Sequence, residues 1–253
     1  FDIYEIAVED WNTINVDDIK KAMAETGIEV KTICGCFGDK RDVSSDDPAI
    51  RENGVKYIKD MVDFAAEIGA EVVAGPIYSA VGKARMTTPE EKAQQWDWAV
   101  ENLQICADYA AEKGIKLAIE PLNRFESDMI NTAEQGLELQ KRIGRDNVGF
   151  MLDTFHMNIE ESSIGDAIRN AGKLLGHFHT GECNRMVPGK GRTPWREIGD
   201  ALREIEYDGT VVMEPFVRMG GQVGSDIKVW RDISKGADEE QLDEDARRAV
   251  EFQ

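Results

Sequence analysis

The sequence has no apolar run long enough to span a bilayer and no visible signal-peptide pattern. A cytoplasmic location and the absence of a membrane partner are the expectations that follow. Cationic side chains are in the minority: 30 Lys and Arg stand against 49 Asp and Glu, a formal net charge of −19. Such a surface repels phosphate backbones, which argues against a nucleic-acid partner and against docking on anionic lipid. Cysteine is sparse, and Cys34, Cys36, Cys106 and Cys183 contain no CxxC pair. A reduced protein fits that pattern better than a disulfide scaffold does. Cys34 and Cys36 are two residues apart and would share one face of a strand, the expectation being one buried small residue and one loop thiol. No low-complexity linker or composition break divides the chain, so residues 1–253 are read as one domain.

What is present is an alternation of strand-like and helix-like segments. Phe1–Ala7, Ile28–Cys34, Glu71–Gly75, Ile115–Glu120, Val148–Asp153, Leu175–His179 and Thr210–Glu214 read as strands. Helical stretches lie between them, with Asp47-Pro48 and Thr88-Pro89 as starts and Gly27 and Gly69 as stops. The tail, from Gly224 to Gln253, reads as mostly helical and charged. Spacings of this kind suit parallel βα units. A doubly wound open sheet is the rival architecture, but chemistry contributed from several strand ends favours closure around one axis. The fold class expected is therefore α/β, a (β/α)8 TIM barrel. Seven strands are counted rather than eight, and Phe1 already sits in the first of them. The expectation is that a preceding βα unit belongs to the parent protein, which an intact-mass measurement tests.

Four of the strands end in a side chain that can bind a metal: Glu120, Asp153, His179 and Glu214. Any one of these alone reads equally well as an ordinary acid or a core histidine. Four on successive strands point to a single divalent-metal site. Two glutamates, one aspartate and one imidazole suit Mn2+, Co2+ or Mg2+ with positions left open for substrate oxygens, and Zn2+ less well. Glu120 and Glu214 are each followed by proline, which holds the preceding residue extended at its strand end. Opposed across a barrel, the two carboxylates could take a proton from one face of a carbon and return it to the other. A metal would stabilise the charge of the enediolate between those steps.

At these residues the chain resembles the ketose 3-epimerases that act on D-tagatose or D-allulose (psicose), members of the xylose-isomerase-like TIM barrels. The resemblance is carried by Glu120-Pro121-Leu122-Asn123-Arg124-Phe125-Glu126, by Leu152–Glu161, by Gly176–Arg185, and by Val212–Phe216 with Gly220-Gly221. It extends to Val229-Trp230-Arg231-Asp232 and the tail. It implies that Glu120, Asp153, His179 and Glu214 bind the metal, usually manganese. It further implies that Glu120 and Glu214 exchange the C3 proton of a small sugar through a cis-enediolate. Glu126 and His156, both in loops beyond their strands, would hold the terminal hydroxyl region. Arg185 would bind oxygens near the reacting carbons, and Phe216 and Cys34 would line an apolar wall. Homodimers or homotetramers are the implied assemblies.

Two loops depart from simple expectation. Tyr78–Arg85 lacks the tryptophan-containing segment common in this family and carries Lys83 and Arg85 instead. This suggests either a solvated loop tip or a more polar pocket for an acidic or glycosylated substrate. Gly189-Lys190-Gly191-Arg192 looks superficially like a phosphate nest but lacks P-loop spacing, and a turn leading into Thr193-Pro194-Trp195 is preferred. The competing functions are an aldose–ketose isomerase, a lyase subunit acting on 3-keto-glycosides, an abasic-site endonuclease that the net charge disfavours, and a non-catalytic sugar-binding protein.

Overall fold

Strand and helix alternate along the chain, and parallel neighbours need a crossover between them, so the architecture follows from the order of the elements. The computed structural model describes residues 1–253 apart from the side chain of Gln222. Seven strands lie parallel in the order of the sequence: β1 (Ile3–Val8), β2 (Glu29–Gly35), β3 (Val72–Gly75), β4 (Lys116–Ile119), β5 (Val148–Asp153), β6 (Leu175–Thr180) and β7 (Thr210–Met213). β1 and β7 come into contact without a ladder joining them. The result is a nearly closed barrel with one seam, the α/β TIM architecture expected, with the seven strands that were counted.

Helices cover the outside. They are α1 (Val16–Thr26), α2 (Pro48–Ile68), α3 (Pro89–Glu112), α4 (Ala133–Ile143), α5 (Thr154–Glu160), α6 (Ile164–Ala171), α7 (Trp195–Glu204), α8 (Gly221–Asp226) and α9 (Glu239–Phe252). Local chemistry sets their ends. Asp47 accepts from the Ala49 N–H with Pro48 in the first turn of α2, and Thr88 and Glu91 form a reciprocal capping box on α3. Gly27, Gly69 and Gly144 end α1, α2 and α4 in the left-handed conformation.

The two-residue period of the strands divides each into a helix-facing and an axis-facing set. Leu117, Ile119 and Val148 join one core with α2 and α3, while Phe150, Leu152 and Phe178 join a second with α6 and α7. Between the strands, Val72, Ala74, Ala118 and Met151 form a separate small cluster. These are the alternate positions, and they continue to Glu120 two residues after Ala118 and to Asp153 two residues after Met151. Apolar residues on the axis thus form a floor with the carboxylates above it.

One stretch differs from expectation. His156 was expected in a loop, but α5 begins directly after β5 because Asp153 Oδ1 accepts the Phe155 N–H at 2.8 Å and caps it. The tail is mostly helical, as expected, in α8 and α9, with turns and bends between them.

Candidate active site

The ends of β4 to β7 carry the four expected metal-binding side chains, which fall into two groups that share Asp153. Asp153 pairs in register with His179, and the backbone N–H groups of Glu120 and Glu214 continue the ladder to Gly75 O and Thr180 O, each at 3.0 Å. Proline after each glutamate keeps that extended geometry. Asp153, His179 and Glu214 offer ligand atoms within 4.8 Å of one another, as do Glu120, Asp153 and His156. His179 Nδ1 is 3.7 Å from Glu214 Oε2. That nitrogen is buried and has no hydrogen-bond partner among the described residues. A buried imidazole nitrogen without a partner, set among carboxylates, is a fit for a divalent cation, since a buried polar atom left unpaired is otherwise costly.

The two histidines at this end differ in what they present. The Asn123 N–H donates to His156 Nδ1 at 3.1 Å, so the ring proton is on Nε2. That N–H faces Glu120 Oε1 at 3.6 Å and Asp153 Oδ2 at 3.8 Å. His156 is thus a donor into the site, and burial holds it neutral, well below the usual imidazole range. At His179 burial acts against the charged form, but Glu5 and Glu214 outweigh it and raise the ring well above the usual imidazole range.

Arg185 enters from the loop after β6 with φ of 62°, a left-handed conformation uncommon for a non-glycine residue. Its Nη1 lies 3.2 Å from Asp153 Oδ2 and 3.1 Å from Glu214 Oε2. The guanidinium stacks over Phe155 at 3.7 Å and faces Phe216 at 5.2 Å. Phe216 in turn donates its N–H to Arg185 O at 2.9 Å.

The carboxyls separate in proton affinity. Burial raises Glu120 well above the usual range; His179 opposes this, and the charges of Glu214 and Asp153 reinforce it. Burial also lifts Asp153 to about 6 against the pull of Arg185. At Glu214 burial acts upward too, but His179, 3.7 Å away, and Arg185 bring it below the usual range. A cavity of about 1930 Å³ opens over these groups and extends to the β1–β7 seam; Cys34, Glu120, Glu126, His156, Arg185 and Phe216 line it. All five residues expected to meet substrate therefore border one space.

A family model described as "Xylose isomerase-like TIM barrel" matches residues 1–247. The chain belongs to that family. It is 48% identical over 255 residues to the D-psicose 3-epimerase of Agrobacterium fabrum, covering 100% of this chain and 88% of that protein. It superposes on the structure of D-psicose 3-epimerase with D-tagatose from Clostridium cellulolyticum H10 with a TM-score of 0.93, at 46% identity, over 100% of this chain and 88% of the other. A more distant relative, the 3-dehydro-D-guloside 4-epimerase of Escherichia coli K12, is 30% identical over 211 residues, 81% of this chain and 78% of that protein. Within the xylose isomerase-like barrels the chain thus stands among the ketose 3-epimerases, which are carbohydrate epimerases.

For this family member, the structure overturns the reading of Lys83 and Arg85 as pocket cations. Lys83 Nζ is largely buried, 2.8 Å from Asp42 Oδ2 and 2.7 Å from Ser44 Oγ. Arg85 lies 3.3 Å from Asp46 and 3.9 Å from Asp128. Neither lines the cavity. The Gly189–Arg192 loop is a turn, as preferred, and its centre is a protein carboxylate. Buried Glu182 accepts from the N–H groups of Gly189 (2.7 Å) and Thr193 (3.0 Å) and from Trp195 Nε1 (2.8 Å). A Cβ on Gly191 would meet Glu182 Oε2 at 2.2 Å, so only glycine passes there.

Three polar residues that the motifs did not single out support the site. Asn123 Nδ2 reaches Glu126 Oε1 at 2.8 Å and His156 Nδ1 at 2.9 Å. Glu182 shapes the loop that carries Arg185, whose N–H donates to Glu182 O at 2.9 Å. Glu5 on β1 meets His177 and His179 on β6. Its sequence signal was a carboxylate inside an apolar strand, paired with two histidines two residues apart.

Proposed function

We propose that this enzyme inverts C3 of a free ketose of the D-allulose/D-fructose or D-tagatose type. In this reading Glu120, Asp153, His179 and Glu214 hold a divalent cation, Mn2+ foremost, with Co2+ or Mg2+ able to replace it. The observation that carries the reading is the pair of proline-followed glutamates, Glu120 and Glu214, each extended from its strand end and both bordering one cavity. Two carboxyls that reach one substrate from different strands can act as acid and base in one reaction. Glu214, ionised beside His179 and Arg185, takes the C3 proton. Glu120 gives a proton to the opposite face of the cis-enediolate, and the roles exchange in the reverse direction. When bound, the cation supplies electrostatic stabilisation for the negative charge gathered on the substrate oxygens.

The remaining residues orient the sugar. His156 Nε2–H donates to a hydroxyl, and Glu126, held by Asn123, accepts from the terminal hydroxyl region. Arg185 binds oxygens next to the reacting carbons, and Phe216 and Cys34 exclude water from the apolar side of the pocket. With Lys83 and Arg85 engaged by protein carboxylates, the reason for preferring an acidic or glycosylated substrate disappears, and a free ketose is the better fit. A homodimer or homotetramer completes the proposal, and sedimentation equilibrium tests it.

The deciding experiment incubates the Mn2+-loaded protein with D-fructose, D-allulose or D-tagatose in deuterated water and follows the sugar by NMR. Deuterium at C3 with appearance of the C3 epimer, abolished in Glu120→Gln and Glu214→Gln, is the expected result. Deuterium at C1 instead would establish an aldose–ketose isomerase. No exchange on any free ketose would overturn the substrate assignment.

A further inference from the structure

We infer that Glu5 is a positioning residue for His179, holding the ring proton on Nε2 so that Nδ1 faces the carboxylates with its lone pair free. The inference rests on the metal reading of the preceding section and deepens it. Glu5 lies on β1, 174 residues from His179 in sequence, and reaches it across the inside of the barrel. Glu5 Oε1 is 2.7 Å from His179 Nε2. Glu5 Oε2 accepts from Thr32 Oγ1 at 2.6 Å and lies 2.7 Å from His177 Nε2, in contact but not aligned for a hydrogen bond. Both oxygens are therefore engaged with protein groups; Glu5, His177 and His179 also offer ligand atoms within 4.8 Å of one another, and in this reading Glu5 acts on the imidazole rather than on the ion.

The geometry leaves His179 one arrangement compatible with a ligand role. A carboxylate accepts only, so the nitrogen facing it must be the protonated one. The opposite nitrogen, Nδ1, is the one without a hydrogen-bond partner, and it belongs to the cluster with Asp153 and Glu214. A carboxylate behind a metal-binding imidazole fixes its tautomer and ring angle and raises its basicity. The supporting shell is built as well. Thr32 on β2 fixes one Glu5 oxygen, and the His177 ring stands edge-on to His179 with centroids 4.8 Å apart. His177 Nδ1 is itself anchored at 2.6 Å by Thr210 Oγ1 on β7. The chain Thr32, Glu5, His177 and Thr210 thus spans the β1–β7 seam from the inside and surrounds His179 on the side away from the ligand cluster.

The test compares wild type with Glu5→Gln and Glu5→Ala. Mn2+ affinity is measured by electron paramagnetic resonance of the free ion. The ring protons are located by two-bond 1H–15N correlation spectra of the Mg2+-loaded protein and of the metal-free protein at alkaline pH. With only three histidines in the chain, the assignment is tractable. The expected result is Nε2–H on His179 in wild type and a loss of Mn2+ affinity of roughly 10- to 100-fold in Glu5→Ala. Glu5→Gln keeps the shape and an acceptor oxygen, decides the test should the alanine variant fail to fold, and should lose about tenfold as the carboxylate charge is removed. A wild-type protein that binds Mn2+ no more tightly than Glu5→Gln, or that carries Nδ1–H on His179, overturns the inference alone. A wild type that holds no Mn2+ overturns the metal reading, and the inference with it.

Discussion

The backbone N–H of Asn123 donates to Nδ1 of His156 at 3.1 Å, which makes His156 a hydrogen-bond donor to whatever lies between it and Glu120. The Asn123 side chain adds a second hold on that ring and a bond to Glu126 Oε1 at 2.8 Å. One residue therefore orients both groups assigned to the terminal hydroxyls. Asn123→Ala leaves the backbone donor, and with it the tautomer, but frees Glu126. The expected outcome is a rise in KM of about tenfold, equivalent to ~1.4 kcal/mol, with kcat nearly unchanged. Steady-state kinetics check this, and a fall in kcat at constant KM would assign Asn123 to the chemical step instead.

Arg185 shares Asp153 Oδ2 and Glu214 Oε2 with any cation held there. Two positive groups on the same oxygens compete, so removing one should strengthen the other. Arg185→Ala is expected to bind Mn2+ as tightly as wild type or more so. Its kcat/KM should fall about 100-fold or more, as for loss of one charged donor to a developing oxyanion. Arg185→Lys should recover little, because an ammonium cannot both stack on Phe155 and reach two carboxylates. Calorimetric titration with Mn2+ alongside kinetics separates the two effects, and parallel losses of metal and activity would contradict this account.

Much of the site was legible because the chemistry coincides with local pattern. Apolar runs that end in Glu, Asp or His, and two Glu-Pro pairs, are visible without any contact information. The supporting residues were not, since their meaning comes from distant partners. Glu5 acts on a residue 174 positions away, and Lys83 reads as a free cation until Asp42 and Ser44 are placed beside it. His156 was assigned to a loop because no glycine or proline separates β5 from α5. The signal was Asp153 itself, whose second oxygen caps that helix.

Lys83 and Arg85 provide a contrast in burial. Lys83→Ala leaves Asp42 buried without its cation and should destabilise the protein by about 3 kcal/mol. Arg85 is half exposed, and Arg85→Ala should stay within about 0.5 kcal/mol of wild type. Neither change should alter the ranking of ketoses turned over. Chemical denaturation and a substrate panel test both statements, and a changed ranking would return these residues to the pocket.

Glu182 gives a prediction about acid. Burial pushes its carboxyl upward, but the N–H of Thr193, the Trp195 ring N–H and the N–H of Gly189 outweigh that and hold it below the usual carboxylate value. A lowered folded-state value means the unfolded chain binds more protons near pH 4, so stability rises with pH there. The contribution is complete above the ordinary glutamate value of about 4.3 and is lost as pH falls through the folded value. Glu182→Gln removes this linkage and turns an amide toward a donor, costing about 1–3 kcal/mol at pH 7. The variant should therefore melt below wild type at pH 7, yet lose less of its melting temperature than wild type does between pH 7 and pH 3. Because Glu182 also shapes the loop that holds Arg185 at φ 62°, kcat/KM should fall in the same variant at neutral pH. Melting curves that shift in parallel over the whole pH range would show that the carboxylate contributes no such linkage.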